Sequence, residues 1–353
     1  PRWCHHDAAG EAFSTPQTDC RTVTDDTAVS LRDGIRIELS DGTSVVADAT
    51  DPDGDAALVS HAHGDHLYDD PPEEVICSAT TADLAAVRRD GRPARTTTLP
   101  GEGGVDLLDA GHVAGSRAAL VTDPDGTRYC YTGDVTTRDR LSLDGFDPPD
   151  ADVLIVEATY GEPGYVFPPQ SQLESEIVDF FADTRAPILA FGYALGRAQT
   201  LQLLAQRAGC RVTVSDAIAE LNDVVERHTE TTFPAEQYDN LDEIEPGDVV
   251  VLPAGLSGRD WVDRLCERTD AVAAGFSGWA VDDSYRFRGG YDETFVLSDH
   301  CDFSELVELV AAVDPEQVYT VHGSTETLAN ELTTRGFDAQ ALVADQHTLG
   351  EFG

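Results

Sequence analysis

The chain has 353 residues, of which 41% are hydrophobic, and its formal net charge is −43. This amount of apolar sequence can form one large domain or two unequal ones, so we expect the chain to fold unaided. The basic residues are all arginine, because the sequence contains no lysine. Such an acidic composition is typical of extreme halophiles, in which carboxylates keep the surface solvated, and it says little about binding partners.

The sequence has no apolar run long enough to span a membrane and no signal-peptide pattern. We therefore expect a cytoplasmic protein without a membrane partner. The seven cysteines are scattered, and no two of them form a C-x-x-C pair. This spacing argues against both a disulfide framework and a cysteine-based zinc site.

The elements fall into three groups along the chain. Residues 1–25 lack periodicity and are predicted to be a disordered tail. Closely spaced strands then predict a sandwich of sheets, and they lie at residues 44–49, 57–60, 105–109, 118–122, 128–131 and 153–157. After Gly164, helices and strands alternate, which predicts a parallel sheet in a second subdomain. The helices of this part are expected at 172–182, 197–208 and 216–227, and its strands at 188–191, 212–215 and 249–252.

Two further strands, at 295–298 and 317–321, are predicted near the end of the chain, each followed by a helix. The helix after the first begins with Asp302, and Glu305 follows three residues later. This spacing is typical of a capping box at a helix N-terminus.

The most informative segment is residues 61–66, where an apolar strand runs into the sequence HAHGDH. Residues two apart on an extended chain project to the same side, so His61 and His63 can bind one ion together. The glycine that follows permits a sharp turn, which can bring Asp65 and His66 towards a second ion. Imidazole and carboxylate ligands suit zinc, with manganese or iron as alternative occupants.

Three further ligand candidates each follow a predicted strand, namely His112, Asp134 and His322. His112 lies close to glycines, which allow the backbone to approach a metal. The carboxylate of Asp134 has two oxygens with which it can bridge two cations. The order and position of these residues at strand ends predict that they complete the metal site.

The H-x-H-x-D-H pattern of residues 61–66 resembles the signature of metallo-β-lactamase-fold hydrolases. The resemblance implies two zinc ions per chain, with manganese as an alternative. The ligands implied for the first ion are His61, His63, His112 and Asp134. Those implied for the second are Asp65, His66, Asp134 and His322. A water shared by two such ions loses its proton near neutral pH and can act as the nucleophile. Asp65, as a ligand of the second ion, is therefore also assigned as a catalytic residue.

Three other stretches resemble the β-CASP branch of this superfamily, metal-dependent nucleases that process RNA 3′ ends or repair DNA. They are Glu157-Ala158-Thr159-Tyr160-Gly161, with Ala158 where the family has serine, then Gly196-Arg197-Ala198-Gln199, and Ser298-Asp299-His300. The resemblance covers about residues 45–345 and implies an α/β fold, a metallo-β-lactamase αββα sandwich with an inserted β-CASP-like α/β cap. We expect the sandwich at residues 26–163 and 279–353 and the cap at residues 164–278.

By the same resemblance, His300 is the general acid that protonates the departing 3′ oxygen, and Glu157 is hydrogen-bonded to it. Arg197 and Ser298 are implied as substrate-binding residues, the arginine by stabilising negative charge on phosphorus. The predicted function is therefore hydrolysis of single-stranded DNA or RNA from a strand end, as an exonuclease, in RNA processing or DNA repair.

RNA and DNA both stay open as substrates. His322 lies where RNA-processing members have histidine, whereas residues 275–300 resemble compact exonucleases associated with bacterial DNA ligases. A homodimer is also left open. One alternative is a small-molecule ester, thioester or lactone hydrolase of the same fold. Another is a non-catalytic scaffold, but all seven ligand positions are filled, which argues against it.

Overall fold

Three six-stranded sheets organise the part of the chain that the computed structural model describes, residues 28–89, 91–233, 235–238 and 243–344. The predicted tail at residues 1–25 lies outside these residues. Two of the sheets form a sandwich. The third sheet belongs to a segment that is inserted between two sandwich strands, at 153–158 and 317–323. Within the described part, no helix is both long and apolar enough to cross a bilayer.

The first sheet of the sandwich starts with antiparallel pairs and continues with parallel ones. Its strands, in spatial order, are β1 (Val29–Arg32), β2 (Gly34–Glu38), β3 (Ser44–Ala47), β4 (Ala56–Leu58), β5 (Glu74–Ile76) and β6 (Ala94–Thr96). Helix α1 (Ala79–Arg88) packs on its outer side, where Leu84 and Ala85 join Val59 and Val75 in one apolar cluster.

The second sheet has the order β18-β17-β10-β9-β8-β7. Its strands are β7 (Gly104–Asp109), β8 (Arg117–Thr122), β9 (Arg128–Tyr131), β10 (Val153–Ala158), β17 (Gln317–Gly323) and β18 (Ala339–Ala341). Successive residues of a strand point to opposite faces. In β10, Ile155 accordingly packs with the first sheet, whereas Leu154 and Val156 pack with two outer helices, α7 (Phe303–Val313) and α8 (Thr325–Thr334). The layers are therefore αββα.

The third sheet is entirely parallel, in the order β13-β12-β14-β11-β15-β16. Its strands are β11 (Ile188–Gly192), β12 (Val212–Val214), β13 (Glu236–Gln237), β14 (Val249–Pro253), β15 (Val272–Phe276) and β16 (Glu293–Phe295). The helices of this segment are α2 (Gln170–Asp183), α3 (Arg197–Arg207), α4 (Asp216–His228), α5 (Asp260–Thr269) and α6 (Ser284–Gly289). Both faces of β11 are buried, because Ala190 packs on one side and Phe191 on the other.

These layers confirm the predicted α/β class, a sandwich interrupted by an α/β cap. The strand expected at 295–298 forms slightly earlier, as β16, and joins the cap sheet beside β15. Phe295 of β16 pairs with Phe276 of β15, and their rings stack with centroids 5.3 Å apart. The cap sheet therefore extends past residue 278, where the cap was expected to end. At the start of α7, Asp302 and Glu305 form the predicted capping box, each side chain accepting from the other's backbone N–H at 2.9 Å.

Candidate metal centre

Four of the predicted ligands converge just beyond the ends of three strands. His61 and His63 follow β4, His112 follows β7, and Asp134 follows β9. The His63 Nδ1 atom lies 3.0 Å from His61 Nε2 and 3.1 Å from His112 Nε2. Asp134 Oδ2 lies 3.4 Å from His61 Nε2 and 3.5 Å from His112 Nε2. Four donor atoms thus surround one point.

The spacing of these donors fits a tetrahedral zinc ion. Ligands about 2.0–2.1 Å from the ion are separated from each other by roughly 3.3 Å, close to the four distances found. Burial lowers the pKa of His63 to about 3 and also lowers the pKa values of His61 and His112. These imidazoles are therefore neutral, which is the form that binds a metal.

The other nitrogen of each histidine is held by the protein. His63 Nε2 lies 3.1 Å from the carbonyl oxygen of Leu195 in the cap, and His112 Nδ1 lies 2.9 Å from that of Asp299. His61 Nδ1 lies 2.9 Å from Ser60 Oγ. Such contacts fix the tautomer and orientation of a ligating imidazole before the ion arrives.

The second set of predicted ligands is more open to solvent. Asp134 Oδ2 also lies 3.5 Å from His66 Nε2, so this oxygen can serve two ions. Asp65 Oδ2 is 3.9 Å from the same nitrogen, and the Asp65 side chain is 83% exposed. The exposed ring of His322 has its centroid 5.2 Å from that of His66. An open, oxygen-containing position of this kind suits an ion that also binds water or substrate.

Asp48 is a buried carboxylate beside the candidate site that the sequence analysis did not single out. It lies just after β3, and its Oδ2 atom accepts hydrogen bonds from the Tyr131 hydroxyl and from His66 Nδ1, both at 2.8 Å. Burial lowers the pKa of His66, but the carboxylates of Asp134 and Asp48 outweigh it and raise that pKa to about 10. The signal in the sequence was an apolar strand ending in an aspartate, Val45-Val46-Ala47-Asp48.

Glu157 and His300 form a buried acid–imidazole pair beside the four-donor cluster. His300 Nδ1 lies 2.7 Å from Glu157 Oε1, which also accepts from the backbone N–H of Val135 at 2.9 Å. The His300 ring packs 4.5 Å from that of His112. Burial lowers the pKa of His300, but Glu157 and Asp134 raise it to about 9, so this imidazole can carry a proton at neutral pH.

Ser298 and Arg197 lie behind the site, and neither borders its cavity. The Ser298 hydroxyl accepts from the backbone N–H of His300 at 2.9 Å and so braces that loop. Arg197 is only 2% exposed, and its guanidinium is bound by Asp299 at 2.9 Å and by the carbonyl of Phe276 at 2.8 Å. Arg197 therefore lies in a buried ion pair away from the cavity wall, and its predicted contact with substrate stays a prediction.

A cavity of about 720 Å³ opens between the sandwich loops and the cap. Both ion positions and the proton-donor candidate border it, through Asp65, His66, Asp134, His300 and His322, among others. The cap contributes Tyr193, Pro253, Ala254, Gly255 and Trp279. Tyr193 is 56% exposed, so an aromatic face is accessible at the cavity.

The fold and the donor set are similar to those of zinc-dependent metallo-hydrolases. Residues 293–342 match the family model for the zinc-dependent metallo-hydrolase RNA specificity domain. A crystal structure of a protein of unknown function from Enterococcus faecalis V583 has the same fold, with a TM-score of 0.61 at 14% identity over 90% of this chain and 96% of that one.

Curated relatives include a probable DNA ligase from Opitutus terrae, 34% identical over 82% of this chain and 29% of the ligase. An RNase J-like protein from Methanocaldococcus jannaschii is 28% identical over 47% of each chain. The cleavage and polyadenylation specificity factor subunit 3 of Dictyostelium discoideum is 27% identical over 69% of this chain and 37% of that one. The chain therefore spans between 29% and 47% of the length of these relatives. With its sandwich and metal-ligand cluster, it belongs to the metallo-β-lactamase/β-CASP family.

Proposed function

We propose that the chain is a zinc-dependent nuclease that hydrolyses phosphodiester bonds in single-stranded nucleic acid. The observation that carries this proposal is the hydrogen-bonded pair of Glu157 and His300 at the edge of the metal-ligand cluster. An alkoxide is a poor leaving group and needs a proton as its bond to phosphorus breaks. Relatives named as a DNA ligase, an RNase J-like protein and a polyadenylation factor subunit support a nucleic acid as the substrate.

We assign two zinc sites to this donor set. His61, His63, His112 and Asp134 would hold the first ion, and Asp65, His66, Asp134 and His322 the second. When bound, the two ions lower the pKa of a water towards about 7 and offset the negative charge of the phosphate. Asp134 is the residue common to both sites, because its Oδ2 atom lies within 3.5 Å of nitrogens from each set.

His300 would protonate the departing 3′ oxygen. Its Nδ1 atom is engaged by Glu157, so a proton on Nε2 is the one available for transfer. The negative charge of Glu157 stabilises the imidazolium before the reaction, and Ser298 fixes the loop that carries it. Cleavage of the bond between phosphorus and the 3′ oxygen leaves a 5′ phosphate and a 3′ hydroxyl.

The cavity is of the size that proteins use for small ligands, which favours a single strand over a duplex. We therefore infer exonucleolytic action, with the exposed ring of Tyr193 stacked on an unpaired base. The match at residues 293–342 supports RNA as substrate, and hence RNA processing. The similarity to the Opitutus ligase supports DNA, and hence repair.

The test is incubation of zinc-loaded protein with matched RNA and DNA single strands labelled at either end, in molar potassium chloride. We expect a ladder of shortened products from at least one polymer, and no products after zinc is removed by a chelator. Asp134→Asn, which weakens both ion sites, should also abolish cleavage. If neither polymer is cut while thioesters or lactones are hydrolysed, the small-molecule alternative is the correct one.

A further inference from the structure

Arg88 is the only arginine among the described residues that border the cavity. It is the last residue of α1, and it shares the cavity wall with His63 and Asp65. The chain as a whole is strongly acidic, with a formal net charge of −43. A polyanionic strand that enters this cavity therefore meets one permanently charged basic side chain.

The guanidinium of Arg88 forms no hydrogen bond and no ion pair with the described residues, and its Nε atom is buried without an acceptor. Burial and the charge of Arg89 lower the pKa of Arg88, whereas the carboxylate of Asp65 acts on it in the opposite direction without pairing with it. The next residue behaves differently, because Arg89 donates to the carbonyl oxygens of Tyr68 and Gly64 at 2.9 Å each. Arg140 and Arg197 are likewise bound by Asp299. A buried donor is unfavourable unless something supplies an acceptor.

We infer that Arg88 binds a backbone phosphate of the strand that the cavity holds, an inference that rests on the proposed nuclease function. A guanidinium presents several N–H donors in one plane, which match two oxygens of a phosphate. In molar salt, charges farther apart than about 3 Å are screened, so a direct contact of this kind matters more than the overall field. The contact is independent of base identity and positions the strand.

Binding measured without cleavage tests the inference. The parent protein is the zinc-loaded His300→Ala variant, and the probe is a fluorescent single strand of the polymer that the wild type cleaves. Each phosphate contact contributes about 0.7 to the slope of log K against log salt for a single strand. We therefore expect Arg88→Gln to bind more weakly at every potassium chloride concentration and to reduce the slope by about 0.7.

Two variants serve as controls. Arg92→Gln removes the same charge from a neighbouring position, but Arg92 is 58% exposed, is paired with Asp83 and lies outside the cavity wall. It should leave the slope unchanged. Arg88→Lys keeps the charge on a point donor, so it should retain the slope while losing part of the affinity. Zinc content equal to that of the parent shows that each variant is folded.

An Arg88→Gln variant that binds with the affinity and slope of its parent would overturn the inference, and the nuclease proposal would still stand. If the wild type cuts no nucleic acid and the parent binds none, both proposals fail together.

Discussion

Asp299 joins the cap to the loop that carries His300 through Arg197, whose Nη2 atom lies 2.9 Å from Asp299 Oδ2 with both side chains 2% exposed. The other carboxylate oxygen pairs with Arg140, which also donates to the carbonyl oxygens of Gly111 and His112. The backbone carbonyl of Asp299 accepts from His112 Nδ1 at 2.9 Å. One buried aspartate therefore ties the cap helix α3 and the loop that carries His112 to the segment that carries His300.

Asp299→Asn should lower the free energy of unfolding by about 3–5 kcal/mol, because it leaves two buried guanidinium groups without their carboxylate. Denaturant unfolding measures this change. Glu331→Gln is the matched control, since Glu331 forms an exposed pair with Arg335 one helical turn away. That variant should lose no more than about 0.5 kcal/mol. Equal losses in the two variants would contradict the structural role of Asp299.

His300→Ala should slow cleavage of nucleic acid by about 10²–10⁴-fold, the usual contribution of a general acid. The same variant should lose far less activity on bis(p-nitrophenyl) phosphate, since p-nitrophenolate departs without protonation. Glu157→Gln should show the same contrast with smaller losses, because the imidazole remains but its neighbouring charge is removed. Initial rates on both substrates give the comparison, and a loss that does not depend on the leaving group would exclude His300 as the acid.

Much of the site could be predicted because its residues are adjacent in sequence or end a recognisable strand. Four of the ligand candidates lie within residues 61–66, and the sequence shows a strand pattern shortly before Asp134 and before Glu157. Asp48 was missed because its partners His66 and Tyr131 lie 18 and 83 residues away. Its own strand indicates a carboxylate at a strand end, but not that this carboxylate meets His66 and Tyr131.

The assignment of Arg197 shows a second limit of sequence patterns. A conspicuous arginine at a helix start is compatible with a substrate contact or with a buried ion pair, and the two differ only in what packs around it. Its partner Asp299 lies 102 residues later in the chain, at the end of a loop whose path depends on β16 joining the cap sheet. Only the assembled fold shows that the ion pair forms.

Asp48→Asn should weaken zinc binding by about 10–100-fold, the typical effect of losing a carboxylate that orients a ligating histidine. The amide no longer offers His66 Nδ1 a charged acceptor, so its ring is held less firmly towards Asp134. Titration against a chelator of known affinity gives the change. Asp55→Asn is a suitable control, because among the described residues the Asp55 carboxylate accepts hydrogen bonds only from Ser44, at the opposite end of β3. An unchanged affinity in Asp48→Asn would show that this carboxylate does not orient the ligand.

Tyr193→Ala should weaken binding of a single strand by about 5–150-fold, which corresponds to about 1–3 kcal/mol for the stacking of one base on an aromatic ring. Its ring centroid lies 6.0 Å from that of His63, so a base stacked on it would lie close to the metal centre. Tyr193→Phe keeps the stacking face and should bind like the wild type. Phe287→Ala removes an aromatic side chain that is 82% exposed and lies outside the cavity wall, and it should have no effect. Fluorescence titration in the His300→Ala background separates binding from cleavage, and equal affinities for the alanine variants at 193 and 287 would rule out stacking at Tyr193.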